Sequence, residues 1–514
     1  MTESPSTNAS RPPRRQAYGL AVVGGVLYFL GWAGFGFWPL SFICLVPLWR
    51  ALELGLGRTW RHTLAVAWLY GTVTMAGGYH WLVEFLDVFS GYGYAASALF
   101  WLVFSAYLGF NFVVYGLIYR ALRLRGWSAS LIAVPVLILI EWLYPSLFPT
   151  YLSNSVQDQT HLVQIADLGG PMLVTAVMGL VNLSVYEAWS WRARRRPAPK
   201  GVWALTVAAI AFTVAYGTVR IAQVEAQMEV APVLRLGIVQ VNMGIFEKRT
   251  EALEGHRRHL EQSHQLEEAG DLDLLVWPES AFVGGLPRKL PMDARRVLQD
   301  LKTPVLFGGV STELVDGQRK IYNTVFLADE NGIVESTYDK TYLLMFGEYL
   351  PFGDTFPVLY ELSPNSGHFT AGTHVRPINL GEWRISTPVC YEDVLARFTR
   401  RMVREANPHI LINLTNDAWF GDTQEPGIHL VLSQYRAIEH RRYMVRATNS
   451  GISAVVDPLG RIVAQTGVLT RENLRYDVHM LDGDTIYTRF GDWVGWLGLA
   501  AVAWMLIRRR DAEQ

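Results

Sequence analysis

The chain has 514 residues, of which half are hydrophobic, 12 % are aromatic and only 18 % are charged, whereas ordinary soluble proteins carry about 25 % charged residues. A formal net charge of -1 excludes a nucleic-acid partner recognised through net basicity. The two cysteines, Cys44 and Cys390, exclude a disulfide scaffold and a cysteine-rich metal cluster.

Long uncharged stretches in the first half of the chain predict a membrane bundle, because a helix needs about 20 apolar residues to cross the hydrocarbon core. The first stretch, Ala17 to Trp49, is too long for one span, and the cluster from Gly34 to Pro39 divides it into two. Five more spans follow in this half, and an eighth, Trp493 to Ile507, closes the chain. The five are Thr63 to Val83, Gly93 to Tyr119, Ser128 to Leu147, Leu168 to Trp189 and Gly201 to Val219.

The domain boundaries follow from these spans. Residues 1–16, rich in Ser, Pro and Arg, are expected to be disordered and cytoplasmic, and residues 17–222 to form a seven-helix transmembrane bundle. Residues 232–484 have the charge density of a soluble domain, and residues 491–508 form the last transmembrane helix.

Basic residues orient the bundle, because Lys and Arg near span ends stay on the cytoplasmic side. They occur at alternate connections only, for example Arg120 to Arg125 after the fourth span, while the turns from residues 34–39, 84–91 and 144–170 contain none. Both termini are therefore expected in the cytoplasm and the soluble domain outside it. Glu141, inside an apolar span, is read either as a functional intramembrane carboxylate or as a group wetted or paired near the outer interface.

The soluble segment is predicted to be a layered α/β domain, because short apolar runs typical of buried strands alternate with helical patterns. The expected strands are Leu234 to Gln240, Leu272 to Trp277, Val305 to Val310, Tyr322 to Leu327, Ile333 to Tyr338, Arg384 to Val389, Ile410 to Thr415 and Ile452 to Val456. The expected helices are Glu247 to Ala269, Asp293 to Leu301, Asp393 to Glu405 and Gly427 to Tyr443.

Reactive side chains follow three of these strands: Glu279, Lys340 and Cys390. Strand ends are where an α/β sheet gathers its site. A helix beginning near Asp393 and a nearby Lys340 would both favour the Cys390 thiolate. Together the three groups supply the base, the oxyanion-stabilising cation and the nucleophile of acyl transfer through a covalent intermediate. Each alone has a plainer interpretation, as a strand end, a surface lysine or a packed thiol.

Longer motifs make the likeness specific. The soluble half resembles the nitrilase superfamily, and nearly the whole chain resembles the apolipoprotein N-acyltransferase family. The matching segments are Val276 to Ser280, Tyr338 to Pro351, Cys390 to Asp393, Asn413 to Asp422, Arg436 to Glu439 and Arg446 to Gly451. The resemblance implies an αββα sandwich outside the cytoplasm, and Glu279, Lys340 and Cys390 in the roles given above. It adds Glu348, Tyr391, Glu392 and Trp419 as substrate-binding or supporting residues.

The resemblance also implies the substrates: a membrane phospholipid as acyl donor and the diacylglyceryl-cysteine of a lipoprotein as acceptor, at the bacterial inner membrane, without a cofactor or metal. The chain departs from the family near Arg249 and in the loop Trp142 to Thr150, which leaves the acyl-chain, headgroup and lipoprotein preferences open. His256, His259 and His264 are interpreted as part of a solvated helix face rather than as metal ligands.

The apolar run Tyr342 to Phe346, with Phe352 and Phe356 beyond it, is interpreted either as a lipid-facing lid or as buried packing. Two other functions stay open: a membrane-anchored amidase or nitrilase acting on a small carbon-nitrogen substrate, and a catalytically silent lipid-binding or scaffold protein. Eight spans argue against the first, and the intact Glu279, Lys340 and Cys390 argue against the second.

Overall fold

The computed structural model describes residues 14–194, 198–244, 247, 250–363 and 365–508. A helical half comes first, an α/β half follows, and one helix, α17 (Trp493–Ile507), returns to the helical half and packs on α6 and α9. The helices of the first half are α1 (Arg14–Gly31), α2 (Leu45–Gly55), α3 (Trp60–Gly78), α4 (Leu82–Ser90), α5 (Tyr94–Leu124), α6 (Ala129–Leu143), α7 (Thr160–Val163), α8 (Ala166–Gly169), α9 (Pro171–Arg194) and α10 (Lys200–Val230).

Several helices of this half are strongly apolar. Among the described residues, α5, α10 and the Pro171–Ala193 part of α9 are long and apolar enough to cross a membrane. The helices α6 and α17 are apolar but shorter. Close backbone packing joins α3 to α5: a Cβ added at Gly71 would lie 2.2 Å from the Gly109 carbonyl oxygen, so only glycine fits at this crossing.

Three helices differ from the sequence-based expectation, two in where they begin or end and one in being present at all. The helix α1 begins at Arg14, inside the segment expected to be disordered, while residues 1–13 lie outside the described residues. The helix α4 occupies a segment expected to be a turn. The helix α10 continues to Val230 because its last turns pack on the α/β half, where Val224 and Met228 are buried in the core between the sheets.

Two sheets form the centre of the α/β half. One, within the described residues, has eight strands in the order β14-β1-β2-β5-β6-β7-β4, with β3 beside β5; the other has six in the order β13-β12-β11-β10-β9-β8. The strands are β1 (Val233–Gln240), β2 (Leu274–Val276), β3 (Phe282–Pro287), β4 (Met292–Asp293), β5 (Val305–Val315), β6 (Gln318–Ala328), β7 (Ile333–Asp339), β8 (Ile378–Leu380), β9 (Trp383–Ser386), β10 (Ile410–Thr415), β11 (Tyr443–Thr448), β12 (Ala454–Val456), β13 (Ile462–Gln465) and β14 (Glu472–His479).

The sheets pack face to face and helices cover their outer faces. Ile238 and Leu306 of the first sheet share one buried cluster with Ile412 and Val445 of the second. The helices of the α/β half are α11 (Ala252–Glu268), α12 (Arg295–Leu298), α13 (Val358–Leu362), α14 (Ala396–Ala406), α15 (Glu425–His440) and α16 (Ile486–Phe490). This is the expected αββα arrangement, and it places the ends of β2, β7 and β9 at one site.

Buried polar contacts fasten the two halves together. The Arg441 guanidinium donates to Asp167 at 2.8 Å, and Arg220 of α10 binds the same carboxylate. The Tyr435 hydroxyl donates to the Ser153 carbonyl oxygen at 2.8 Å. Because these groups are buried and paired, separating the halves would leave unpaired charges in the interface.

Candidate active site

Each of the three predicted reactive residues follows a strand, as expected. Glu279 lies beyond β2, Lys340 directly beyond β7 and Cys390 beyond β9. The chain packs tightly at Glu279: a Cβ added at Gly308 of β5 would lie 2.7 Å from the Glu279 Cα. The Lys340 backbone NH donates to the Asn323 carbonyl oxygen at 2.8 Å and so extends the pairing of β6 with β7.

A compact polar cluster surrounds the lysine. Lys340 Nζ lies 2.8 Å from Glu348 Oε2 and 3.7 Å from Glu279 Oε1. The Asn323 amide bridges the two carboxylates, donating to Glu279 Oε1 at 2.6 Å and to Glu348 Oε1 at 3.0 Å. Lys340 is 1 % exposed. Burial opposes its charge, but Glu348 and Glu279 together raise the Lys340 pKa above its ordinary value, so the ammonium form persists.

The Cys390 thiol stands at a strained turn. Cys390 begins a 3-10 helix (Cys390–Val394) and has a φ of +48°, in the left-handed region that costs energy for a residue with a Cβ. The Asn413 amide donates to both the Cys390 and the Pro388 carbonyl oxygens at 3.1 Å. These bonds hold the turn, and Cys390 as a whole residue is partly exposed.

Other groups outweigh the influence of Lys340, which was expected to favour the Cys390 thiolate. Burial and the nearby Glu279 carboxylate raise the pKa of the Cys390 thiol well above its ordinary value, and Lys340 only partly opposes them. The cysteine therefore rests as a thiol and needs a base to become a nucleophile.

Glu392 holds the lysine and cysteine segments together. Its carboxylate accepts bonds from the Thr341 and Tyr342 NH groups at 2.7 and 2.8 Å, from the Val389 NH at 2.8 Å and from the Tyr338 hydroxyl. Burial raises the Glu392 pKa to about 7 despite these donors. The residue thus supports the site and does not face the reacting atoms.

Tyr391 and Trp419 join the site to the helical half. The Tyr391 hydroxyl donates to the Leu147 carbonyl oxygen, and its ring lies 5.9 Å from that of Phe148. The Trp419 ring lies 5.3 Å from that of Phe89 in α4. The loop in which the chain departs from the family pattern therefore borders the site, whereas Arg249, the other departure, lies outside the described residues.

Two cavities share Thr150 in their lining. A narrow one of about 30 Å³ reaches Cys390 and is lined by apolar groups that include Trp81, Phe148, Leu344 and Phe420. A larger one of about 330 Å³ lies between the halves. Its lining includes Asn111, Glu141, Tyr342, Arg397 and Thr150. Glu141 accepts a bond from the Leu152 NH at 2.8 Å, and its side chain also interacts with that of Thr175.

Asn323 and a buried cluster of charged residues behind Cys390 also belong to the site, although no sequence motif marks them. Asn323 lies inside a predicted strand, and only the register of β6 with β7 would have placed it beside Lys340. Behind Cys390, potential metal ligands of Asp417, Glu425 and His429 lie within 4.8 Å of one another. Both ring nitrogens of His429 already contact carboxylates, of Asp417 at 3.0 Å and Asp393 at 3.1 Å.

The histidines of α11 are only partly as expected. His259 is 1 % exposed and its ring lies 5.0 Å from that of Trp277, so the solvated-face interpretation is wrong for this residue. His264 does face outward, where it contacts Asp300 at 3.2 Å.

Comparisons with known proteins cover both halves. A family model described as carbon-nitrogen hydrolase matches residues 235–480, and one described as apolipoprotein N-acyltransferase N-terminal domain matches residues 24–184. An apolipoprotein N-acyltransferase of Geobacter metallireducens is 31 % identical and covers 97 % of this chain and 96 % of its own. One of Gloeobacter violaceus is 30 % identical and covers 97 % of this chain and 87 % of its own. The solved structure of Saccharomyces cerevisiae Nit3, a nitrilase-superfamily member, is 19 % identical, covers 48 % of this chain and 90 % of its own, and has a TM-score of 0.37.

Proposed function

The chain belongs to the apolipoprotein N-acyltransferase family, and we propose that it transfers an acyl chain from a membrane phospholipid to the N-terminal diacylglyceryl-cysteine of lipoproteins through a thioester on Cys390. The predicted family and the acyltransferase class are thereby confirmed, as is the carbon-nitrogen hydrolase type of the α/β half. One observation carries the proposed mechanism: Cys390, Glu279 and Lys340 gather from three strand ends at the edge of an apolar cavity.

In the first step, Glu279 accepts the thiol proton while the Cys390 sulfur attacks the ester carbonyl carbon. Lys340, held as an ammonium by two carboxylates, stabilises the negative charge that develops on the carbonyl oxygen. The ester C–O bond then breaks, and the lysophospholipid oxygen takes the proton from Glu279. The products are a thioester enzyme and a lysophospholipid.

In the second step, the lipoprotein amine attacks the thioester carbonyl carbon. Glu279 takes a proton from the attacking nitrogen, the C–S bond breaks, and Glu279 passes that proton to the departing sulfur, which restores the Cys390 thiol. A thioester suits this step because a thiolate is a better leaving group for an amine than an alkoxide is. The apolar cavity favours the amine over water.

Exposed apolar side chains support a lipid-facing role for the loop after Lys340. Phe346, Phe352 and Phe356 are 56 %, 76 % and 57 % exposed, which is unlike buried packing. Leu344 of the same loop lines the narrow cavity at Cys390. Since about 30 Å³ cannot hold an acyl chain, we expect the loop to move aside as a lid when the lipid binds, with the larger cavity beside it.

The membrane arrangement is part of the proposal. Eight spans, both termini in the cytoplasm and an α/β domain on the outer side of the bacterial inner membrane agree with the alternating basic residues. The domain limits are those given by the spans, with α10 extended to Val230. The apolar helices and the exposed loop after Lys340 support this arrangement. The proposed reaction needs neither a metal nor a cofactor.

The mass of the acyl-enzyme tests the proposal. Purified protein incubated with phosphatidylethanolamine vesicles of one defined acyl chain should gain the mass of that chain. Cys390→Ala should gain nothing, whereas the matched variant Cys44→Ala should react normally, because Cys44 is buried in the helical half.

The rival functions predict other outcomes. An unmodified Cys390 together with hydrolysis of small amides would overturn the acyltransferase in favour of an amidase. Normal complementation by Cys390→Ala would favour a silent lipid-binding protein.

A further inference from the structure

A closed ring of four alternating charges lies behind the nucleophile. The His429 ring contacts Asp417 Oδ1 at 3.0 Å through Nδ1 and Asp393 Oδ1 at 3.1 Å through Nε2. The Arg446 guanidinium binds the remaining oxygens of the same two carboxylates. Asp393, Asp417 and Arg446 are at most 2 % exposed, and His429 is 6 % exposed.

The geometry fixes the protonation of His429. An ionised carboxylate only accepts hydrogen bonds, so a ring that contacts a carboxylate through each nitrogen must carry a proton on both. Burial and Arg446 oppose this charge, but Asp393 and Asp417 raise the His429 pKa to about 10. Two cations then balance two carboxylates. Glu425, the other acidic residue of the group, has its pKa raised to about 8 by burial and by Asp417, so it is mostly neutral at pH 7.

The group of four charged side chains connects two segments that border the thiol. Asp393 belongs to the 3-10 helix that Cys390 begins, and Asp417 begins the 3-10 helix Asp417–Phe420 that carries Trp419. The Cys390 thiol contacts the Thr415 hydroxyl, which donates to Asp417 Oδ1 at 3.3 Å. The charge of Asp417 therefore acts on the nucleophile, together with Glu279 and Lys340.

We propose that His429 is a positioning residue for acyl transfer: as an imidazolium between Asp393 and Asp417, it holds the Cys390 turn against the Trp419 segment and offsets the negative charge that Asp417 places near the thiol. This inference rests on the proposed function, in which Cys390 is the nucleophile. His429 does not touch the reacting atoms and acts through the two aspartates. The same engagement of both nitrogens leaves it no free ligand atom for a metal.

The test measures how fast iodoacetamide alkylates Cys390 as a function of pH, in full-length Cys44→Ala protein in detergent. His429→Gln removes the buried positive charge, so the midpoint of the alkylation profile should rise by roughly one pH unit. Asp417→Asn removes the negative charge and should lower the midpoint by a similar amount. Alkylation needs no lipid, so its result is independent of whether acyl transfer is observed.

A matched control separates charge from packing. Ser433 accepts a bond from Arg446 at 3.1 Å and donates to the Leu430 carbonyl oxygen, so Ser433→Ala loosens the same group without changing its charge. It should lower the melting temperature and leave the midpoint unchanged. An unchanged or lowered midpoint in His429→Gln would overturn the proposal. If that variant does not fold, an unchanged midpoint in Asp417→Asn would overturn it.

Discussion

The polar cluster at Lys340 and the apolar loop that follows it are neighbours in sequence but opposites in structure. In the cluster, Lys340 and Glu279 are almost fully buried. The Asn323 amide donates to the carboxylates of Glu279 and Glu348 at 2.6 and 3.0 Å. In the loop, Phe352 is 76 % exposed. In the proposed reaction, the groups of the chemical step are therefore already held in place by their partners, whereas the loop proposed to contact the lipid leaves its apolar side chains exposed.

The largest effect is expected at the base. Glu279→Gln keeps the shape and the bond from Asn323 but cannot take the thiol proton. We expect kcat to fall about 10³-fold, within the range of general-base catalysis. Single-turnover formation of the acyl-enzyme measures this step directly, and a loss confined to KM would contradict a fixed catalytic cluster.

A smaller loss is expected at Asn323. Asn323→Ala leaves the charges in place but removes the amide that bridges Glu279 and Glu348. We expect kcat to fall roughly 10- to 100-fold with little change in KM, because misplacing a catalytic group mainly affects the chemical step. Steady-state kinetics with unchanged thermal stability would confirm this, and a normal kcat would show that the cluster does not depend on its bridge.

The loop should respond in the opposite way. Replacing Leu344 and Phe346 by Ser removes apolar contacts with lipid, so the KM for phospholipid should rise about 5- to 10-fold while kcat stays similar. Leu314→Ser, at an exposed end of β5, is the control for loss of an exposed apolar side chain and should change neither. Unchanged kinetics in the double variant would rule out the lid.

The smallest effect concerns stability at Glu425. Its folded pKa, raised to about 8 by burial and by Asp417, lies above the ordinary value of 4.5. Folding therefore favours the protonated form of Glu425. The contribution of this carboxyl to the free energy of unfolding is fully present below pH 4.5 and is lost as the pH rises through about 8. Glu425→Gln lacks this dependence. Melting temperatures from pH 5 to pH 9 should fall by a few degrees more in the wild type than in the variant, and parallel curves would contradict the assigned neutral state.

Much of the site could be predicted from sequence because its members follow continuous apolar strands. Glu279, Lys340 and Cys390 each follow such a strand, as expected, and their catalytic roles stay a prediction. Asn323 was not, since an Asn inside a strand carries no signal until the register of β6 and β7 is known. The resting state of Cys390 was also out of reach, because it depends on how deeply the thiol is buried and how near Glu279 lies.

The fold shows the same limit. Hydropathy predicts the apolar segments but not the ends of the helices, because a helix can continue beyond its apolar segment when its side chains pack against another part of the protein. The helix α4 was missed because Glu84 and Asp87 interrupt its apolar pattern. The span predicted for α10 ends at Val219, before the charged Arg220, yet the helix continues to Val230. Its Glu225 is bound by Arg461 of the α/β half at 2.7 Å.

The extension of α10 determines how far the α/β half stands from the membrane in the proposed arrangement. The helix has 31 residues and is about 46 Å long, whereas the hydrocarbon core is about 30 Å thick. In the proposed membrane arrangement, roughly 16 Å of the helix therefore extends beyond the hydrocarbon core. Val224 and Met228 of this extension pack in the core of the α/β half. The length of the extension thus determines the distance between the Cys390 thiol and the ester groups of the bilayer. In this proposed arrangement, the length of α10 sets the depth in the membrane at which the thiol can reach an ester bond.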